Sequence, residues 1–261
     1  MQHAATPQSF FRSLRIQWRV IHALLMREVL TRYGRHNIGF LWLFVEPMIF
    51  TIGVTAIWTF MKALHGAEIP IEAFALTGYS SLLVWRNMPA RCMFAVTINE
   101  ALMHHNNVRA IDIYLSRILL EAIGATMSFI VLGLLFMAIG WMEPPENLLK
   151  VMAGWAFLIW FGASLAMLLG TLSEKYDMVE KFWHPAAYLM FPFGGAAFLV
   201  DAMPVAVQPY ILLLPQVSGT ELLRDGFFGS KVHAHYDLIY VTAVNILFML
   251  VALVHMRKIQ K

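Results

Sequence analysis

The sequence predicts an all-α, polytopic membrane protein with about six transmembrane helices. Three observations carry this. Only 13% of the 261 residues are charged while 59% are hydrophobic, and the mean hydropathy is +0.65. Soluble domains carry about 25% charged residues, so this chain has too little charge to cover a water-facing surface. Apolar runs close to the ~20 residues that cross a bilayer recur along its length. Lysine and arginine are divided unevenly between the loops that separate those runs.

Residues 1–38 read as a cytoplasmic N-terminal region and 39–261 as the transmembrane domain. From Phe10 to about Thr31, Phe11, Leu14, Trp18, Ile21, Leu25 and Val29 recur at steps of three and four. Arg12, Arg15 and Arg19 fall on another face. Such a stripe predicts an amphipathic helix lying in the membrane interface; a soluble helix packed on a partner is the alternative. Tyr33-Gly34-Arg35-His36-Asn37 breaks it, with Gly34 freeing the backbone and Asn37 able to cap the next helix. The first 26 residues have no continuous apolar core, so a cleavable signal peptide is not expected.

The first span is expected over Gly39–Met61, with Trp42 near its start and a kink at Glu46-Pro47. The second, Ala73–Thr97, holds Tyr79, Trp85, Arg86, Asn87, Pro89 and Arg91. At 1.5 Å per residue, Arg86 sits about 20 Å deep. The polar segment Asn99–Arg117 follows, then a third span over Ile118–Trp141 and a tight loop at Pro144-Pro145. The fourth span, Leu148–Leu172, repeats small residues at Gly162, Ala166 and Gly170, a spacing that lets two helices approach closely but also arises from ordinary composition. Ser173–Lys181 is a charged loop, and the fifth span is expected over Phe182–Val200 despite Pro185, Pro192 and Gly194-Gly195. Val205–Val217 is too short to cross and is broken by Pro209 and Pro215, which suits a re-entrant or interfacial segment. A second short helix is expected over Gly219–Phe228, and the last span over Tyr236–Met256.

Arg12, Arg15, Arg19, Arg27, Arg32, Arg35, Arg109, Arg117, Lys175, Lys181, Arg257, Lys258 and Lys261 fall on one side of these spans. Lys62, Lys150, Arg224 and Lys231 fall on the other. The excess of positive charge places both termini in the cytoplasm.

The chain contains no Gly-Lys pair, so it lacks the loop that cradles nucleotide phosphates. It also lacks HExxH and GxSxG, and Cys92 is its one cysteine, so no catalytic residue or metal site is expected. His104-His105 and His233-x-His235 have no further ligands at zinc spacing. The buried charges are the sharper signal. Arg86 and Arg91 either face a watery substrate path, where arginine suits phosphate and carboxylate, or pair with Glu46 or Glu121. Trp42, Tyr79 and Trp85 either anchor the chain at the interface or offer a stacking surface for sugar rings.

Three stretches, in order, resemble one family. RYGRHNIGFLWLFVEP is similar to the start of the first span in type-2 ABC transporter permeases. NVRAIDIYLSRILLEA, Asn107–Ala122, resembles the inner loop and third-span start of the capsular polysaccharide export branch, the KpsM-type permeases. LPQVSGTELLRDGFFG, Leu214–Gly229, resembles that branch's gate segment. The family favours proline where Ala110 stands.

The resemblance implies an inner-membrane permease that works as a homodimer over a dimer of separate ABC ATPase subunits, which bind the ATP and Mg. No cofactor belongs to this chain. Asn107, Arg109 and Asp112, with Arg27 and Arg32, would couple to the ATPase. Arg86, Arg91, Glu46, Trp42, Tyr79 and Trp85 would line the substrate path. Val205–Phe228, with Pro209, Pro215, Glu221 and Arg224, would form the outer gate. The substrate would be a lipid-linked acidic polysaccharide, handed to a periplasmic co-polymerase and an outer-membrane export protein, with no role for nucleic acid. O-antigen, teichoic acid and lipid exporters share this architecture. An ion-coupled transporter would instead need ion ligands in two repeated halves, and no repeat is visible. A membrane-embedded glycan or lipid enzyme would need a carboxylate or histidine cluster near one interface.

Overall fold

The computed structural model describes residues 10–34, 37–62, 69–103 and 108–259; Asn107, His104-His105 and the Asn37 side chain lie outside the described residues. Among the described residues every regular element is helical. In chain order the helices are α1 Phe10–Tyr33, α2 Asn37–Lys62, α3 Ile71–Cys92, α4 Ala95–Ile98, α5 Glu100–Met103, α6 Ala110–Ala138, α7 Leu148–Ser173, α8 Met178–Leu189, α9 Gln208–Leu212, α10 Pro215–Phe228 and α11 Leu238–Ile259. Among the described residues, four segments are long and apolar enough to cross a membrane: Leu41–Phe60 in α2, and helices α6, α7 and α11.

The helix boundaries follow local chemistry. Gly34 ends α1 in a left-handed conformation, φ +79°, which glycine adopts without steric cost. α3 stops at Cys92, short of the expected Thr97, because the chain bends at Phe94, whose φ is +50°. α6 starts eight residues before the expected third span. Its Asp112 carboxylate accepts the Arg109 N–H at 3.0 Å, half of a capping box, so the polar lead-in is itself helical.

The expected fifth span differs most. α8 ends at Leu189, and residues 190–199 run through turns. Pro192 has no N–H to continue the ladder, and Gly195 takes φ +79°.

The core forms around α7, which packs on α3, α10 and α11. Small residues set its distance from its neighbours. A methyl at Gly162 would come 2.8 Å from Met88 Sδ and 2.9 Å from Trp85 Cα on α3. One at Gly170 would meet the Cys92 carbonyl oxygen at 2.9 Å. Ala166 between them is wholly buried. The stripe of small side chains at four-residue spacing is therefore the seat of α3 on α7.

The bundle has two chemically distinct ends. The ends of α3, α7 and α11 that carry Arg91, Glu174, Lys175 and Lys258 gather beside α1 and the start of α6. We term this the basic end. At the far end lie the starts of α3 and α7 and the end of α10.

Candidate functional site

The basic end is knotted by charge. Glu28 and Arg32 lie one turn apart on α1, and Arg117 and Glu121 one turn apart on α6. Arg32 binds Glu28 at 2.9 Å and also pairs with Glu121. Arg117 reaches Glu28 at 3.3 Å, and its Nη1 donates to the Arg91 carbonyl at 2.8 Å. Arg91 closes the set with Glu121 at 3.4 Å. Three guanidiniums from three helices thus share two carboxylates. Burial opposes the charge on Arg32, but Glu121 and Glu28 outweigh it and hold the guanidinium above its ordinary pKa.

Two further hydrogen bonds, each between one charged group and one amide, extend the knot to Asn99 after α3 and to Asp112 in α6. Arg27 Nη1 donates to Asn99 Oδ1 at 2.6 Å, and Gln17 Nε2 donates to Asp112 Oδ1 at 3.1 Å. α1 therefore grips both sides of the connection between α3 and α6. Its buried contacts come from Ile21 and Val29, while Phe11, Leu14 and Trp18 of the same stripe are exposed. Ile21 and Val29 pack against protein, whereas the side chains of Leu14 and Trp18 are largely exposed.

Asp112 is buried and Arg109 exposed, which separates two residues that the sequence groups together. Asp112→Ala is expected to destabilise the start of α6 by about 1 kcal/mol, seen as a lower melting temperature. Arg109→Glu is expected to leave that temperature unchanged.

The expected substrate-path residues are dispersed. Glu46, Asn87 and Arg91 share a small cavity with Glu121 beside Pro47. Arg86 lies on another face of α3, its guanidinium 4.7 Å from the centre of the Tyr188 ring. Among the described residues it has no carboxylate partner. Tyr79 is buried edge-on against Phe191, and Trp85 is wholly enclosed against Phe161. Trp42 is exposed on α2.

At the far end α10 carries a second polar assembly. Pro215 sits in its first turn, where the fixed φ suits a helix start, and Pro209 does the same for α9. Arg224 is fully buried. Its Nη1 donates to the Gly195 and Phe198 carbonyls at 2.7 and 2.5 Å, and its Nη2 to the Ala196 carbonyl at 2.7 Å. Its guanidinium also lies 3.9 Å from the Phe74 ring centre. Glu221 accepts N–H groups from Val200 at 3.3 Å and His235 at 3.2 Å. One helix turn thereby satisfies the turns before and after α10, which explains how irregular backbone persists among apolar helices. Gly78 on α3 makes room, since any Cβ there would meet the Ala196 carbonyl and the Arg224 guanidinium.

The model of the ABC-2 type transporter family matches residues 19–228. The chain belongs to the ABC-2 type transporter family. It is 40% identical over 253 residues to the capsule polysaccharide export inner-membrane protein CtrC of Neisseria meningitidis serogroup B, covering 97% of this chain and 96% of that one. It is 35% identical to the capsule polysaccharide export inner-membrane protein BexB of Haemophilus influenzae over the same shares. The polysialic acid transport protein KpsM of Escherichia coli is 22% identical over 91% of this chain and 92% of its own.

Within this ABC-2 chain, several contact residues stand outside the set of site residues that the sequence points to. Glu28, Arg117 and Asn99 read as ordinary polar residues near a membrane surface. Ser173 and Glu174 read as a charged loop, yet Phe94 N–H donates to Ser173 Oγ at 3.1 Å, and Glu174 accepts from Val96 N and Thr97 N. The signal available was the i,i+4 spacing of opposite charges in Glu28/Arg32 and Arg117/Glu121, which marks paired helix faces.

Proposed function

We propose that the chain is the membrane permease of an ATP-driven exporter that moves lipid-linked capsular polysaccharide across the inner membrane. The observation that carries this is the relatedness of nearly the whole chain to capsule polysaccharide export inner-membrane proteins, at 40% identity over 97% of its length. A short shared motif would not do so, because one fold hosts many cargoes.

On this reading α3 and the α8 region cross the bilayer with the four apolar segments, giving six spans. α9 and α10 dip in and return as the outer gate. The basic end faces the cytoplasm, where the excess of lysine and arginine belongs. Two copies enclose the path and two ATPase subunits, which hold ATP and Mg, dock beneath. α1 and the connection from α4 to α6 receive their motion, and the five-charge knot passes it to α3 and α6. Arg86 is the strongest candidate for contact with acidic sugar or anchor phosphate, since it is half-buried and carries no carboxylate partner among the described residues. Arg91 shares Glu121, so its contribution to the path is through the Glu46–Asn87 cavity. A periplasmic co-polymerase and an outer-membrane export protein take the glycan onward.

The test is deletion of the gene with complementation, scoring surface and intracellular polysaccharide. Loss of surface glycan with accumulation of lipid-linked glycan inside the cell is expected. Unchanged surface glycan in the deletion strain would refute the assignment.

A further inference from the structure

α7 is tied at both ends by hydrogen bonds to the two segments that the proposed mechanism needs to move. At the basic end, Glu174 follows its last turn and acts as a cap supplied from elsewhere in the fold. Its carboxylate accepts Val96 N–H at 2.7 Å, Thr97 N–H at 3.1 Å and the Thr97 hydroxyl at 2.7 Å. Ser173 accepts the Phe94 N–H at 3.1 Å. Together they take up the free N–H groups at the start of α4, just where the chain turns through the left-handed Phe94.

At the far end, α7 meets α10 backbone to backbone. A methyl at Gly154 would come 2.5 Å from Leu223 N, and one at Gly226 the same distance from Val151 N. Asn147 N–H donates to the Gly226 carbonyl at 2.8 Å, and Lys150 binds Asp225 at 2.8 Å. At Gly154 and Gly226 the two backbones themselves approach closely. Between the two ends runs an unbroken helix of 26 residues, about 39 Å long.

We infer that α7 is a rigid rod linking the α4 segment to the gate helix α10, and that Glu174 is the positioning residue joining the rod to the segment the ATPase moves. This rests on the transporter reading above. A displacement of α4 pulls on Glu174 and Ser173, and α10 follows because its backbone rides on the other end of α7. The knot of Glu28, Arg32, Arg91, Arg117 and Glu121 ties α1 to α3 and α6 through other side chains, so a substitution at Glu174 leaves its ion pairs in place.

The experiment uses the full chain co-expressed with its ATPase. Surface glycan is measured in cells, and ATP hydrolysis by the purified complex is measured with and without the acidic lipid-linked glycan. E174A is expected to lower export about tenfold while the complex still assembles and hydrolyses ATP, with the glycan no longer stimulating hydrolysis. E174Q keeps a carbonyl acceptor for the backbone N–H groups and is expected to restore most of the stimulation. Adding T97V to E174A should cost nothing more, since both act through one contact. Normal glycan-stimulated hydrolysis and export in E174A overturns the inference. Loss of the assembled complex in E174A also overturns it, because Glu174 is then merely structural. A wild-type chain that recruits no ATPase overturns instead the transporter reading on which the inference rests.

Discussion

Arg224→Ala is expected to unlock the far end of the bundle, costing on the order of 3–5 kcal/mol. The substitution leaves the Gly195, Ala196 and Phe198 carbonyls without their donors in a buried site, and opens a cavity against Phe74. Buried carbonyls stripped of partners bear the cost of desolvation. Arg224→Lys should rescue little, because an ammonium cannot fork between three acceptors held by the planar guanidinium. The check is the melting temperature of the purified chain in detergent, expected to fall by roughly 10 °C in Arg224→Ala. Arg224→Lys should lie near Arg224→Ala, far below the wild type. A melting temperature within a degree or two of wild type in both variants would show that the clamp contributes nothing.

The second large effect is expected from Glu121→Lys. Glu121 is the carboxylate that Arg32 on α1 and Arg91 on α3 share, so reversing its charge sets three cations together at a mostly buried junction. The expected cost is about 2–4 kcal/mol, concentrated on the attachment of α1. α1 should become sensitive to protease while the rest of the bundle stays resistant. Export should fall with it, because α1 also grips Asn99 through Arg27 and Asp112 through Gln17. Adding Arg32→Glu to Glu121→Lys restores an opposite-charge pair between the two helices. The double variant should recover part of the protection of α1. Equal protease sensitivity in the single and double variants would mean that the pair does not hold α1 in place.

Much of this architecture is legible in the sequence because the apolar runs that fit a bilayer are also the runs that fold as long helices. Phe10–Tyr33, Asn37–Lys62, Leu148–Ser173 and Leu238–Ile259 lie within a few residues of their expected limits. Gly162, Ala166 and Gly170 announce a close helix contact, and α3 is found there. What the pattern hides is the place where apolar chain is not helical. Residues 190–199 are as hydrophobic as a span, and composition alone extends α8 through them. They turn instead because Pro192 cannot donate and because Arg224, far along the chain, donates to their carbonyls. A side chain 25 to 30 residues away leaves no trace in a local window.

The candidate site divides in the same way. Arg91 and Glu121 stand out as charges in or beside apolar helices, and their pairing is one of the two outcomes expected of them. Arg86 stands out equally but lies over Tyr188, on another face. Trp85 reads as an aromatic of the path and is packed wholly inside the core, where its size rather than its ring face matters. Glu174 reads as loop charge, since a carboxylate that caps another helix across the fold has no sequence spacing to betray it.

The most direct test of the account is ATP-dependent transport by the reconstituted complex. Inverted membrane vesicles carrying this chain and its ATPase are supplied with lipid-linked acidic polysaccharide on the outside, and glycan protected inside the lumen is measured. The account predicts accumulation that requires ATP, Mg and the ATPase together, and that persists when the proton gradient is dissipated. Accumulation without the ATPase, driven by an imposed ion gradient, would contradict it.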